Sequence, residues 1–302
     1  DNGGGSTIFP GVSNNADVGS NRLNQTVYTI MSYVDTNSDF NPPSTENFGF
    51  MKSPGAFDIA TIDYLYGLDP TYKSANNTYI ISDENVPNNG FKCVYDANGE
   101  DIIIYTGNRA ITIDLRPATI QNEQGGGGFM SKINSSNVYS GMTISNGTII
   151  ENATSGANND DIYQVDNIEN IIDGNQGIDT VYYETGFIDY VIEDISDAKD
   201  GSIITVTKGN ISDTLFNIEF LAFKDGTVAT NNIVVPPTET FVFSSNIEEP
   251  GISFGQSNNT ITNDIVINED INITKLEVVI DELLHTYVGD LKMTLTHLED
   301  NK

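Results

Sequence analysis

Two short phrases near the middle of the chain carry residue types that suit a hard cation. "GNQGIDTV", Gly174 to Val181, and "SGANNDDI", Ser155 to Ile162, each place glycine or asparagine in a turn, an Asp at the sixth position and an aliphatic residue two positions later. This is the spacing of a nonapeptide repeat. Glycine permits turns with φ > 0, carbonyl and Asp oxygens are ligands that calcium accepts, and the aliphatic residue fills a core. The candidate calcium ligands are therefore Gly156, Asn158, Asp160, Gly174, Gly177 and Asp179. The pattern is imperfect: Asn175 replaces one glycine, Ser155 and Asn158 replace others, and one residue is inserted between Asp160, Asn170 and Asp179. A series of Asn/Gly/Asp turns that binds no metal would read the same way. A third phrase, "TIMSYVD" from Thr29 to Asp35, sets an unbranched Met directly before Ser-Tyr in polar, glycine-rich surroundings.

The elements that must position these residues fall into three stretches. Up to about residue 52 the chain is rich in Asn, Gly, Ser and Pro and reads as irregular loop. "SPGAFDIATIDYLYGLDP" then predicts one helix, with Ser53 as cap, Pro54 in the first turn, Gly67 at the end and Pro70 beyond it. Phe57, Ala60, Tyr64 and Leu65 fall on one face, with Ile59, Ile62 and Tyr66 on the other, so burial on more than one side is expected. After Tyr72, β-branched runs such as "DIIIYT", "AITIDL", "GTIIENA", "DTVYYE" and "SIITVTK" alternate with turn residues and predict an all-β region. Pro236-Pro237 marks a linker, and "TFVFSS", "NDIVINED", "ITKLEVVID" and "DLKMTLTHL" beyond it alternate as strands of a separate sandwich.

Composition narrows the partners. The chain has 302 residues and a formal net charge of −30, which argues against nucleic acid or anionic lipid. The acidity fits a saline extracellular habitat, carboxylates gathered around cations, or both. Cys93 is the single cysteine, so no internal disulfide forms and a buried apolar role is expected. No apolar run approaches the length of a membrane span, so no membrane insertion is expected, and the default is a monomer. Neither "DNGGGSTIFPGV" at the start nor "DLKMTLTHLEDNK" at the end reads as a domain edge, so the chain is expected to be an interior fragment.

Residues 110–162, with "GTIIENATSGANNDDI", resemble the C-terminal region of serralysin-type metzincin zinc metalloproteases, where a similar phrase leads into RTX calcium repeats. "TLFNIEFLAFKDGTVA" is similar to the end of a module common in secreted RTX proteins. "TIMSYVD" resembles the Met-turn that follows the zinc helix in that family. The resemblance implies Met31 as the floor of a zinc site and Tyr33 as a zinc side ligand that swings to hydrogen-bond the oxyanion. "HTYVGDLKMTL" resembles the P domain of proprotein convertases, which makes His285 a structural residue and places His297 at an exposed end.

The fold class implied is mainly β. Residues 1–71 would be the irregular C-terminal part of a metzincin catalytic domain with one helix. Residues 72–235 would be a calcium-type parallel β-roll or β-sandwich, and 239–302 a truncated, jelly-roll P domain. The activity implied is secreted, extracellular zinc metalloendopeptidase action on protein or peptide substrates, with Zn2+ as catalytic and Ca2+ as structural metal. The departure is large: the only histidines are His285 and His297, and no HExxHxxGxxH occurs, so the chain alone should neither hold catalytic zinc nor cleave peptides. A non-catalytic, calcium-binding RTX surface protein or adhesin with a degenerate protease region stays open beside the protease.

Overall fold

A computed structural model describes residues 9–34, 47–135, 137–195 and 203–230. The chain divides into two compact units, Asp1–Val235 and Pro236–Lys302. The second unit lies outside the described residues, and with it the expected linker prolines, the sandwich over 239–302, His285 and His297.

The described part is mainly β with one helix. In chain order the strands are β1 (Phe50–Met51), β2 (Thr78–Ile80), β3 (Gly90–Val94), β4 (Ile102–Ile104), β5 (Ile111–Asp114), β6 (Ser131–Ile133), β7 (Gly141–Ile144) and β8 (Asn152–Thr154). They continue as β9 (Asp161–Tyr163), β10 (Ile171–Asp173), β11 (Thr180–Tyr182), β12 (Val191–Asp194), β13 (Ile203–Lys208), β14 (Ile211–Phe216), β15 (Phe220–Phe223) and β16 (Gly226–Ala229). The helix α1 (Ala56–Tyr66) lies between β1 and β2.

Among the described residues these strands form two mixed sheets, ordered β1-β3-β7-β6-β5-β9-β11-β15-β16 and β12-β13-β14-β10-β8-β4-β2. From β8 onward the chain winds between them. β8 and β10 pair in parallel in one sheet, β9 and β11 in the other. β14 and β15 extend the two ladders in parallel beyond β10 and β11. The antiparallel pairs β12–β13, β13–β14 and β15–β16 make the sheets mixed.

The winding follows from strands of three residues in which only the middle side chain faces inward, as the two-residue period of a strand requires. Ile103, Ala153, Ile162, Ile172 and Val181 are those middle residues and are at most 1% exposed. They join Ile113, Leu215 and Leu221 in one apolar cluster drawn from both sheets. Full burial of such a side chain stabilises by about 1.5–3 kcal/mol, which explains how such short strands hold their places. The strand expected within "GTIIENA" is displaced: Ile149 is exposed and Ile150 buried in the irregular segment before it, and β8 begins only at Asn152.

The first segment is tied to the sheets by backbone. β1 runs parallel to β3, with Phe50 opposite Gly90 and Met51 opposite Phe91. Gly55, not Ser53, caps α1, because the Ser53 hydroxyl is used elsewhere and accepts the Cys93 N–H at 2.8 Å. Gly67 ends the helix at φ 74°, as its sequence position predicts. The expectation that α1 is buried on more than one side is not met. Ala56 and Ile59 pack with Cys93 and Ala118, whereas Ile62, Tyr64, Leu65 and Tyr66 are exposed. Only the first turn docks, because there the helix backbone approaches the 28–29 backbone closely enough that a Cβ on Gly55 would lie 2.1 Å from the Tyr28 carbonyl oxygen. Cys93 is buried as expected, which pushes its thiol pKa up to about 11.

Candidate metal centre

Winding between the sheets stacks the turns along one edge: 105–110, 155–160, 174–179 and 217–219 link β4 to β5, β8 to β9, β10 to β11 and β14 to β15. Each turn ends in a residue that enters the next strand, and these residues are joined by amide-to-carboxylate bonds along the stack. Ile111 N–H donates to Asp160 Oδ1 at 2.9 Å, Asp160 N–H to Asp179 Oδ1 at 2.8 Å, and Asp179 N–H to Glu219 Oε2 at 2.8 Å. Asp160 closes its own turn as well, since its Oδ2 accepts the Gly156 N–H at 2.9 Å. Both of its oxygens are therefore engaged with backbone.

Asp179 differs. Its side chain is 0% exposed, its Oδ1 accepts the Asp160 N–H, and its Oδ2 has no hydrogen-bond partner. A buried oxygen left without a partner is costly. Burial pushes its pKa up to about 8 against the opposing Asp160 N–H, with the Asp160, Glu219 and Asp173 carboxylates adding to the rise. Burial also raises the Asp160 pKa, against the amides of Ile111 and Gly156.

The glycines leave room where oxygens converge. A Cβ on Gly174 would lie 2.3 Å from the Asn217 carbonyl oxygen and 2.7 Å from Asp179 Oδ2. A Cβ on Gly177, at φ 138°, would lie 2.3 Å from the Asn158 carbonyl oxygen, and one on Gly156 2.5 Å from that of Gly107. The Asn158 side chain holds its own turn: its Oδ1 accepts the Asn159 N–H at 2.8 Å and its Nδ2 donates to the Asn108 carbonyl at 3.2 Å. The six residues singled out in the sequence thus lie in two adjacent stacked turns.

An orphaned, buried carboxylate oxygen beside backbone carbonyls is a donor set that fits calcium, which takes six to eight oxygens and accepts main-chain carbonyls among them. Among the described residues no group of three or more His, Cys, Asp or Glu side chains is arranged to hold a metal ion.

The Met31 turn is a separate place. Thr29 Oγ1 and the Ile30 N–H donate to the two Asp58 oxygens at 2.7 and 2.9 Å, and the Gly55 N–H donates to the same carboxylate at 2.7 Å, so one side chain fixes the turn and caps α1. The tip then projects: Met31 is 68% and Tyr33 77% exposed. A catalytic zinc takes about three protein ligands, and among the described residues no group of three or more His, Cys, Asp or Glu is gathered around Tyr33.

Sequence reasoning missed Glu219, Asn217 and Asp58. Glu219 sits 40 residues beyond Asp179 because the β12–β13 hairpin interrupts the short repeat, so no nonapeptide count reaches it. Asp58, three residues after Gly55, is the legible one, as the acidic member of a capping box. No family model matches the sequence, and neither does any curated protein.

Proposed function

We propose that the chain is the calcium-organised part of a secreted, serralysin-like zinc metalloendopeptidase, its wound strands forming an RTX-type β-roll. The observation that carries the calcium part is the buried Asp179 Oδ2, which lacks a protein partner in a stack of turns where carbonyl oxygens crowd the glycines. A cation would satisfy that oxygen and join successive turns, so ion binding and ordering of the stack are coupled. When bound, calcium would supply charge neutralisation, and this chain's residues would supply the oxygens and the amide ladder that aims them.

The protease part rests on "TIMSYVD" and the phrases that follow it in the family's order. The anchoring of Thr29 and Ile30, at the base of the turn, by Asp58 supports it, because a Met-turn must hold its shape beneath a metal. When bound, zinc supplies an activated water in that family; the role left to this chain is Tyr33 as a hydrogen-bond donor to the oxyanion. The second reading, a non-catalytic calcium-binding surface protein, is favoured by the exposure of both Met31 and Tyr33.

Casein hydrolysis by the product of the full parent reading frame, with and without a zinc chelator, separates the two. Chelator-sensitive cleavage lost or strongly reduced in Tyr33→Phe is the expected result. A product that binds calcium and never cleaves casein would overturn the protease and leave the surface protein.

A further inference from the structure

The amide-to-carboxylate ladder distinguishes two levels of the turn stack that the repeat pattern treats alike. Between turns 105–110 and 155–160 the carboxylate in place is Asp160, and both its oxygens accept backbone amides, from Ile111 and Gly156. Asp179 reaches back to the 155–160 turn in the same way, its Oδ1 accepting the Asp160 N–H, but its other oxygen is buried and has no partner. The Asn217 carbonyl faces the same space across Gly174 and accepts no hydrogen bond among the described residues. Its position is fixed: Asn217 is held at φ 53°, and its Nδ2 donates to Asp173 Oδ1 at 2.8 Å. Asp173 is held in turn by the Asn175 N–H, at 2.9 Å, so the two turns are already joined on one side of that space.

Building on the calcium reading above, we propose that the cation on this edge is held between the 174–179 and 217–219 turns, by Asp179 Oδ2 and the Asn217 carbonyl oxygen, and that Asp160 is a scaffold residue and not a ligand. The site therefore spans the last repeat turn and a turn that lies outside the repeat. Glu219 positions it by holding the Asp179 N–H through Oε2, which sets the direction of the Asp179 side chain. Binding at this level would clamp β10–β11 to β14–β15 across the point where the β12–β13 hairpin interrupts the winding.

The test is calcium titration calorimetry on the 302-residue chain and on Asp179→Asn and Asp160→Asn. Asp179→Asn should weaken calcium binding by at least about tenfold, and Asp160→Asn should leave the affinity within about threefold while lowering the melting temperature with and without calcium alike. Equal losses in both variants, or a loss confined to Asp160→Asn, would overturn the assignment. Asp160→Asn removes an acceptor of two backbone amides and could fail to fold, so the second measurement needs no variant. Anomalous scattering from crystals grown in calcium should place an ion against Asp179 and the Asn217 carbonyl. An ion touching the Asp160 carboxylate would overturn the inference and keep the calcium reading. A wild-type chain that takes up no calcium at all would end both.

Discussion

Removing the Asp58 carboxylate tests whether one side chain both caps α1 and shapes the Met31 turn. It accepts three hydrogen bonds, from Thr29 Oγ1 at 2.7 Å, the Ile30 N–H at 2.9 Å and the Gly55 N–H at 2.7 Å. Asp58 is half-buried, so each bond is best valued near the net figure for ordinary protein hydrogen bonds, about 1 kcal/mol, below that for a fully desolvated charge. Asp58→Ala should therefore cost about 3 kcal/mol of unfolding free energy. Asp58→Asn keeps one acceptor oxygen for three converging donors and should cost about half as much. Thr29→Val removes a single bond at about 1 kcal/mol, and because it shares that bond with Asp58, the double variant should cost less than the sum of the two singles. The assay is equilibrium urea denaturation followed by circular dichroism, with the slope of the transition unchanged between variants. An Asp58→Ala cost below about 0.5 kcal/mol, or strict additivity with Thr29→Val, would refute the claim that these bonds hold the turn.

Ile162 sits fully buried between Ile113 and Val181 in the parallel ladder, so Ile162→Ala should destabilise by about 2–5 kcal/mol in the same assay, and a cost under 1 would mean the two sheets do not share a tight core. Asp213, 5% exposed, is pushed up to about 7 by burial, with the Asn170 N–H and Tyr183 opposing and the Asp166 and Glu169 charges adding to the rise. A carboxyl with a raised folded-state pKa holds its proton longer in the native protein, so its contribution is fully present below about pH 4 and is lost as pH rises toward about 7. The stability of the wild type minus that of Asp213→Asn should fall across that window by up to about 1.4 kcal/mol per pH unit, and a flat difference would show that Asp213 ionises as freely in the fold as in the unfolded chain.

The parts of the fold that were legible in the sequence are those set by local rules. Gly67 ends α1 because its φ of 74° suits glycine, and the inward Ile and Val residues of the short strands announced themselves by period and by flanking turn residues. The exposure of Tyr64, Leu65 and Tyr66 was not legible, because apolar spacing reports which face of a helix could be buried and not whether a neighbour reaches it. Ser53 misled for a similar reason: it has the right type for a cap, but β3 takes its hydroxyl from 40 residues away. The candidate site divides along the same line. Turn chemistry marked Asp160 and Asp179 equally, and only the long-range bonds from Ile111 and to Glu219 show that one is spent and the other has an oxygen to spare.

The central claim is that a cation completes the turn stack, and the most direct measurement is the melting temperature of the chain in calcium, in magnesium and in chelator. At a calcium concentration of 100 times the dissociation constant, binding to the folded state alone adds about 2.7 kcal/mol. The account predicts a clear upward shift in calcium, with little change in magnesium, whose demand for compact octahedral geometry the carbonyl-rich turns do not meet, and loss of the shift in Asp179→Asn. Identical melting in all three solutions would contradict it and leave the buried Asp179 oxygen without the partner proposed for it.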